Sequence, residues 1–245
     1  MIEVKNVYKS FGDKKVLEDV SAGFYRGKSN FIIGSSGSGK SVLMKCMVGL
    51  EQVTDGSILY ENRDFTHLDY NAKKEIRKEI GMLFQGTALF DSLTVEQNVE
   101  FPIKMFSKMT PAERLDRVNF CLQRVNLSKV NHLYPSALSG GMKKRVGIAR
   151  AIALNPQYLF CDEPNSGLDP LTSRVIDELI KEITIEFNIT TIINTHDMKS
   201  VFDMGDNIIF IWQGKKWWEG TRKDIRASGN KELHDFMKAY DIENM

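Results

Sequence analysis

The sequence predicts an α/β protein organised around a largely parallel β-sheet, and three observations carry that prediction. Apolar runs at Phe31-Ile32-Ile33, Tyr158-Leu159-Phe160-Cys161, Thr190-Thr191-Ile192-Ile193 and Ile208-Ile209-Phe210-Ile211 read as buried strands. Helical stretches separate them, the pattern of parallel strands joined by crossover helices. The first run leads straight into Gly34-Ser35-Ser36-Gly37-Ser38-Gly39-Lys40-Ser41, and Val42 to Met47 then reads as a helix. Strand, glycine-rich loop and helix together make a phosphate-binding P-loop.

Residues 2–25 alternate as antiparallel strands, turning at Gly12-Asp13-Lys14-Lys15, and Ser57-Ile58-Leu59-Tyr60 extends that small sheet. Ile80 to Gln85 is a mostly apolar strand ending in a polar residue. The mixed-sign run Lys73 to Glu79 reads as a solvated helix face. From 88 to 155 the pattern is helical. Thr110-Pro111-Ala112-Glu113 forms a capping box with proline at the first helical position. Leu115, Val118, Leu122 and Val125 follow at helical spacing and are predicted core. Trp212 to Gly220 reads as a hairpin with aromatic packing. Leu233, Phe236, Met237 and Tyr240 give the tail an amphipathic face. The expected division is therefore a nucleotide-binding core with its β-subdomain (1–87 and 156–229), an inserted helical subdomain (88–155) and a helical tail (230–245).

The chain has 245 residues, 42% hydrophobic and 27% charged, enough for one large domain of ordinary soluble composition. A net charge of +1 gives no global reason to expect nucleic-acid binding. No stretch approaches the ~18 apolar residues that a membrane span requires, and the start of the chain lacks the apolar core of a secretion signal. Cys46, Cys121 and Cys161 sit far apart in apolar surroundings, so they are expected to be buried, reduced and not metal-binding. A cytosolic protein is expected, unless a partner holds it to a membrane.

The chemistry lies in two further motifs. Loop glycines allow a row of backbone N–H groups to face phosphate oxygens, and the helix N-terminus adds a favourable field. Lys40 is placed to reach the outer phosphates and the Ser41 hydroxyl to ligate Mg²⁺. Downstream, an apolar strand ends in Asp162-Glu163-Pro164. Asp162, beside the P-loop, can hold the Mg²⁺ shell, and Glu163 can polarise an attacking water. Upstream of that strand lies Leu138-Ser139-Gly140-Gly141-Met142, where Ser139 reads as a helix N-cap and two glycines leave N–H groups uncovered. A second anion-binding helix start without its own base pocket points to a site completed by a second subunit.

These motifs resemble the nucleotide-binding subunit of an ABC transporter over nearly the whole chain. The matching residues are Gly34 to Ser41, Gln85, Leu138 to Met142, Phe160 to Glu163, Ser166-Gly167-Leu168-Asp169 and His196. The resemblance implies a P-loop ABC ATPase fold with a RecA-like core, an N-terminal antiparallel β-subdomain and an inserted helical subdomain. It implies a homodimer enclosing two ATP molecules, each between one P-loop and the partner's Ser139-Gly140-Gly141. In that arrangement Glu163 is the general base, and His196 contacts the γ-phosphate and orients Glu163. Gln85 helps place Mg²⁺ and water, Asp169 ties the dimer halves, and Phe11 stacks on adenine, with Tyr8 as a nearby alternative aromatic. Three positions depart from the commonest pattern. Val42 stands where a hydroxyl residue often meets an inner phosphate, Met142 replaces a frequent glutamine, and Asn165 replaces a small or hydroxyl residue.

The run Leu83 to Val99, containing Phe90-Asp91-Ser92-Leu93-Thr94, is in addition similar to the ATPases of Mla-type, MCE-associated lipid transporters. That similarity implies phospholipid transport with an integral-membrane permease and an MCE lipid-binding protein, the lipid itself being handled by those partners. It places the chain peripherally on the cytoplasmic face of the inner membrane. The segment after Gln85 is positioned to grip a short cytosolic helix of the permease; the simpler alternative is that Leu89, Phe90 and Leu93 only pack under the helical block. Other readings stay open: an ATPase of another ABC importer or exporter, a soluble ATPase resembling those of iron–sulfur cluster assembly, or an ATP sensor without turnover. The last predicts a missing base, yet Glu163 is present.

Overall fold

The inner strands of the central sheet are buried along nearly their whole length because both of its faces are covered. The structure is a computed structural model, and it describes residues 1–239. The six-stranded sheet is built from β3 (Ser29–Ile33), β6 (Ile80–Leu83), β7 (Tyr158–Asp162), β8 (Thr190–Asn194), β9 (Asn207–Trp212) and β10 (Lys215–Gly220). Its spatial order is β10-β9-β3-β8-β7-β6, parallel except for β10, which returns antiparallel beside β9. The side-chain period of two then sorts each strand between two cores. Phe31, Leu159, Cys161, Ile193, Ile208 and Phe210 enter one core. Their neighbours Ile32, Tyr158, Phe160, Ile192, Ile209 and Ile211 enter the other.

The second core is closed by a four-stranded antiparallel sheet of β1 (Ile2–Phe11), β2 (Lys14–Phe24), β4 (Asp55–Tyr60) and β5 (Arg63–Asp64), in the order β2-β1-β4-β5. The β1–β2 hairpin turns at Gly12-Asp13, inside the predicted turn. Between the two sheets lies α1 (Lys40–Val48), which contributes Leu43, Met44, Cys46 and Met47 to that core. Helix α2 (Tyr70–Lys78) runs along the surface, as the mixed charges predict. It buries only Ile76, and Glu79 after it holds Arg63 through two hydrogen bonds of 2.6 and 2.8 Å.

The first core receives a helical block between β6 and β7: α3 (Val95–Phe106), α4 (Pro111–Arg124) and α5 (Gly140–Ala151). The capping box at Thr110 and Glu113 forms as predicted, and α3 has a second one at Thr94 and Gln97. One predicted core position fails. Val118, Leu122 and Val125 are buried, but Leu115 is 43% exposed. Its place on the inward stripe is taken by Arg114, one turn before Val118, which is paired to Glu100 of α3 at 2.6 Å. The predicted strand end at Gln85 also moves: β6 stops at Leu83, leaving Phe84 and Gln85 in the following loop.

Helices α6 (Pro170–Glu186) and α7 (Met198–Met204) connect β7 to β8 and β8 to β9. The β9–β10 hairpin is the predicted one, with Gln213 and Gly214 at positive φ in its two-residue turn. Helix α8 (Lys231–Lys238) packs Leu233, Phe236 and Met237 on the first core, and Trp217 donates to Glu232 on it at 3.1 Å. Tyr240 of the expected tail lies outside the described residues. All three cysteines are free and buried, and burial pushes their thiols up to about 11 at Cys46 and Cys121 and about 12 at Cys161.

Candidate functional site

Three parallel strands deliver the site, because their C-terminal ends lie side by side. From β3 the chain enters the glycine-rich loop, and two glycines there are conformationally required. Gly34 has φ 148°, and a Cβ on it would stand 2.2 Å from the Ile211 carbonyl oxygen. Gly39 has φ 109°, and a Cβ would stand 2.8 Å from the Leu17 side chain. Lys40, the first residue of α1, donates from Nζ to the Gly34 carbonyl at 2.8 Å and the Ser35 carbonyl at 3.0 Å. Burial holds its ammonium below the usual lysine range, against the opposing pull of Glu163 and Asp162. The loop opens on a cavity of about 580 Å³ lined by Phe11, Lys15, Gly37, Lys40, Ser41 and Val42 among others, a size that suits a nucleotide. Phe11 is 46% exposed and carries the Lys9 ammonium 4.4 Å from its ring centre. Tyr8 does not line this cavity.

At the end of β7, Asp162 is in register with Asn194 at the end of β8. The Asn194 amide donates to the Asp162 carboxylate at 2.5 Å and to the Ser41 hydroxyl at 3.1 Å. A hydroxyl and a carboxylate gathered on one amide are hard oxygen donors of the kind Mg²⁺ takes. Burial raises the Asp162 carboxyl above the usual range, which a bound cation would reverse. Two buried oxygens here, Ser38 Oγ and Asn194 Oδ1, have no partner within the protein, so the donor set has unspent capacity and fits a polar ligand.

Glu163 follows with a left-handed backbone, φ 49°. That turn takes its side chain away from Asp162 to His196, whose Nδ1 lies 2.9 Å from each of its carboxylate oxygens. Opposite a carboxylate, Nδ1 carries the proton, and the pair fixes both side chains. Thr195 Oγ1 donates to Glu163 at 3.4 Å. Glu163 and His196 open onto a second groove, about 700 Å³, shared with Ser166, Gly167 and Leu168. Gln85 is joined to this region by its backbone, while its side chain is exposed.

Ser139, Gly140 and Gly141 stand apart from the P-loop cavity and line none of it. Ser139 caps α5, accepting from the Met142 N–H at 3.3 Å. The two glycines pack against the start of α6: a Cβ on Gly141 would meet Thr172 at 2.6 Å and one on Gly140 would meet Leu168 at 3.5 Å. Asp169 caps α6, accepting from the Leu171 and Thr172 N–H groups at 3.0 Å and from the Thr172 hydroxyl at 2.5 Å. That hydroxyl holds its carboxyl below the usual range. The chain thus carries two separate helix starts of this kind, one opening on the P-loop cavity and one at α5.

A model of the ABC transporter family matches residues 17–166. The chain belongs to the ABC transporter family. It is 37% identical to the methionine import ATP-binding protein MetN of Campylobacter jejuni, over 99% of this chain and 77% of that protein. It is 36% identical to a probable ribonucleotide transport ATP-binding protein of Mycobacterium leprae, over 96% of this chain and 68% of the other. Among solved structures, the dimeric form of a bacterial ABC transporter cassette superposes with a TM-score of 0.83 at 33% identity, covering 91% of this chain and 99% of that one. The same cassette in a post-hydrolysis dimer with ADP and Pi gives a TM-score of 0.82. The fold is that of an ABC cassette, and the chain is an ATPase that uses ATP with Mg²⁺ as the motor subunit of an ABC transporter. Cassettes of this kind pair with one another and with a membrane permease.

Several residues of this cassette have roles that sequence reasoning missed. Asn194 is one; its only signal was a polar residue ending an otherwise apolar strand. Lys144 and Arg150 on α5 are others, donating into the loop after β6 at Gln85, Thr87 and Ala88. Asn165, noted as a departure, has a structural reason. Its amide donates to Asp177 at 2.8 Å and Ser200 at 3.0 Å, and Ser200 donates to Asp177 at 2.6 Å. Burial pushes the Asp177 carboxyl up to about 6. The triad links the loop after Glu163 to α6 and α7. Val42, the noted departure from the commonest pattern, lines the P-loop cavity with an aliphatic surface.

Proposed function

We propose that this cassette works as a homodimer in which each ATP is enclosed by one protomer's P-loop and the partner's α5 start. The observation that carries this is the separation of the two half-sites within one chain. Gly34 to Val42 cradle the phosphates, with Phe11 against the base. Ser41 and Asp162, with Gln85 from the adjoining loop, would hold Mg²⁺, which would supply positive charge to the phosphoryl oxygens. Glu163 takes the proton from the attacking water, and His196 keeps the carboxylate aimed while facing the γ-phosphate. Asp169 fixes the start of α6 beside Gly141, and so couples the two halves of the pair. The core comprises 1–87 and 156–229, and 88–155 is the helical subdomain that carries Ser139. No helix among the described residues is long and apolar enough to cross a membrane.

The helical block also presents the surface that would grip the permease. Phe90 and Phe101 are 43% and 40% exposed with ring centres 4.8 Å apart, and Met105 follows Phe101 by one turn on α3 at 60% exposure. Solvent-exposed aromatic pairs of this kind favour a protein partner. Leu89, half-buried, packs against the first core, while Phe90 stays outside it. The Phe90-to-Thr94 sequence supports phospholipid as the cargo, with an MCE protein as partner and the inner membrane's cytoplasmic face as location. A second reading, methionine import, is supported by the named relatives. Both are decided by reconstituting the cassette with its co-purifying permease in liposomes. Turnover that responds to phospholipid, with an MCE protein in the preparation, supports the first. Turnover that responds to methionine and not to lipid overturns it and leaves the motor reading intact.

A further inference from the structure

The helix that offers its start to the second nucleotide also reaches back into its own protomer's site. One turn into α5, Lys144 is only 4% exposed, and its Nζ donates to the Gln85 carbonyl at 2.7 Å and to the Glu163 carbonyl at 3.1 Å. A buried ammonium is costly unless its donors are used, and an apolar side chain of similar length would fill the same space. The lysine is therefore explained by what it holds. Glu163 is left-handed, a conformation that a non-glycine residue keeps only when its surroundings impose it. Its N–H donates to the Asn194 carbonyl at 2.8 Å, while its own carbonyl accepts from Ser166 N–H and from Lys144. Both ends of the strained peptide are thus held, one of them from α5. Burial holds the Lys144 ammonium below the usual lysine range, opposed by Cys161, Glu163 and Asp162.

We propose that Lys144 is a positioning residue for ATP hydrolysis: from α5 it fixes the backbone of Glu163 and Gln85, and so ties the aim of one site to the helix that closes the other. The assignment rests on Glu163 being the base, and it adds an intra-subunit strut between two sites that lie in different halves of a dimer. Lys144 does not line the P-loop cavity, so its effect is on turnover and not on ATP binding.

The test is a double-mutant cycle between Lys144→Met and Glu163→Gln on the full chain, with ATP affinity from a fluorescent-nucleotide titration and turnover from phosphate release. Lys144→Met is expected to lower kcat roughly 10- to 100-fold, the scale of a misplaced catalytic group, with KM and ATP affinity within about twofold. In the Glu163→Gln background the same substitution is expected to lower turnover by a factor at least about fivefold smaller, because the carboxylate it aims is gone and only the hold on Gln85 remains to be lost. General structural damage would lower turnover by the same factor in both backgrounds, which overturns the proposal; so does an unchanged kcat, or a loss confined to KM. Should Lys144→Met not fold, Lys144→Gln, which keeps a donor on a shorter side chain, goes through the same cycle and is judged by the same non-additivity. Near wild-type turnover in Glu163→Gln alone removes the base assignment and this proposal with it, whereas a slow Glu163→Gln with additive Lys144 variants removes only this proposal.

Discussion

Two helices of this chain begin in glycine and serine, and they end in opposite circumstances. Helix α1 starts inside the protein: Gly34 and Gly39 admit close backbone contacts, and Lys40 is turned onto its own loop carbonyls. It opens on a cavity with an aromatic wall at Phe11. Helix α5 starts at the surface, with Ser139 and Gly140 exposed and only its cap and the start of α6 for company. Both present unpaired N–H groups to an anion. Only the first has the base pocket, the Mg²⁺ donors and the carboxylate nearby. In the proposed dimer, the same local motif serves as the cradle in one place and as a lid over the neighbour's nucleotide in the other.

The comparison can be broken most directly at the lid. Ser139→Arg is expected to leave ATP binding to a single chain within about twofold, since binding energy comes from α1, while a bulky cation at the lid abolishes ATP-dependent pairing and turnover. Light scattering with ATP and phosphate release measure the two; a paired, active Ser139→Arg protein would end the two-half model. Next in size is Glu163→Gln, which should keep ATP affinity and slow turnover by roughly 10²–10⁴-fold, with the ATP-bound dimer accumulating. Unimpaired hydrolysis there means that the base lies elsewhere. The smallest effect sharpens the cradle. Phe11→Ala should weaken ATP about two- to tenfold, the worth of one aromatic stack of roughly 0.5–1.5 kcal/mol, and Tyr8→Ala should not, as nucleotide titration would reveal. The reverse ranking would move the adenine to Tyr8.

Much of this was legible beforehand because it depends on local chemistry. A strand, a glycine-rich loop and Lys40-Ser41 can be recognised within a dozen residues, since their function is performed by adjacent backbone. Asp162-Glu163 is similar: one strand end, two carboxylates. What escaped was chemistry made by strand neighbours and buried cations. Asn194 matters because β8 lies beside β7 and pairs it with Asp162; nothing in its own neighbourhood says so. Lys144 sits in a run of basic residues, Lys143-Lys144-Arg145, and only the packing of α5 sets apart the one that is buried. Leu115 failed for a related reason, because an ion pair at Arg114 occupied the inward position that periodicity assigned to an apolar side chain.

The sequence alone determined the fold family, the phosphate loop, the paired acidic residues and the second helix start, because each is encoded in contiguous residues whose backbone conformation is dictated by glycine, capping side chains and apolar period. Tertiary structure alone decided how these pieces face one another. Strand order brought Asn194 to Asp162 and Ser41, a left-handed Glu163 turned its carboxylate to His196, and α5 carried a lysine into the interior. Those are contacts between residues far apart in the chain, set by which elements pack together, and no local pattern specifies them.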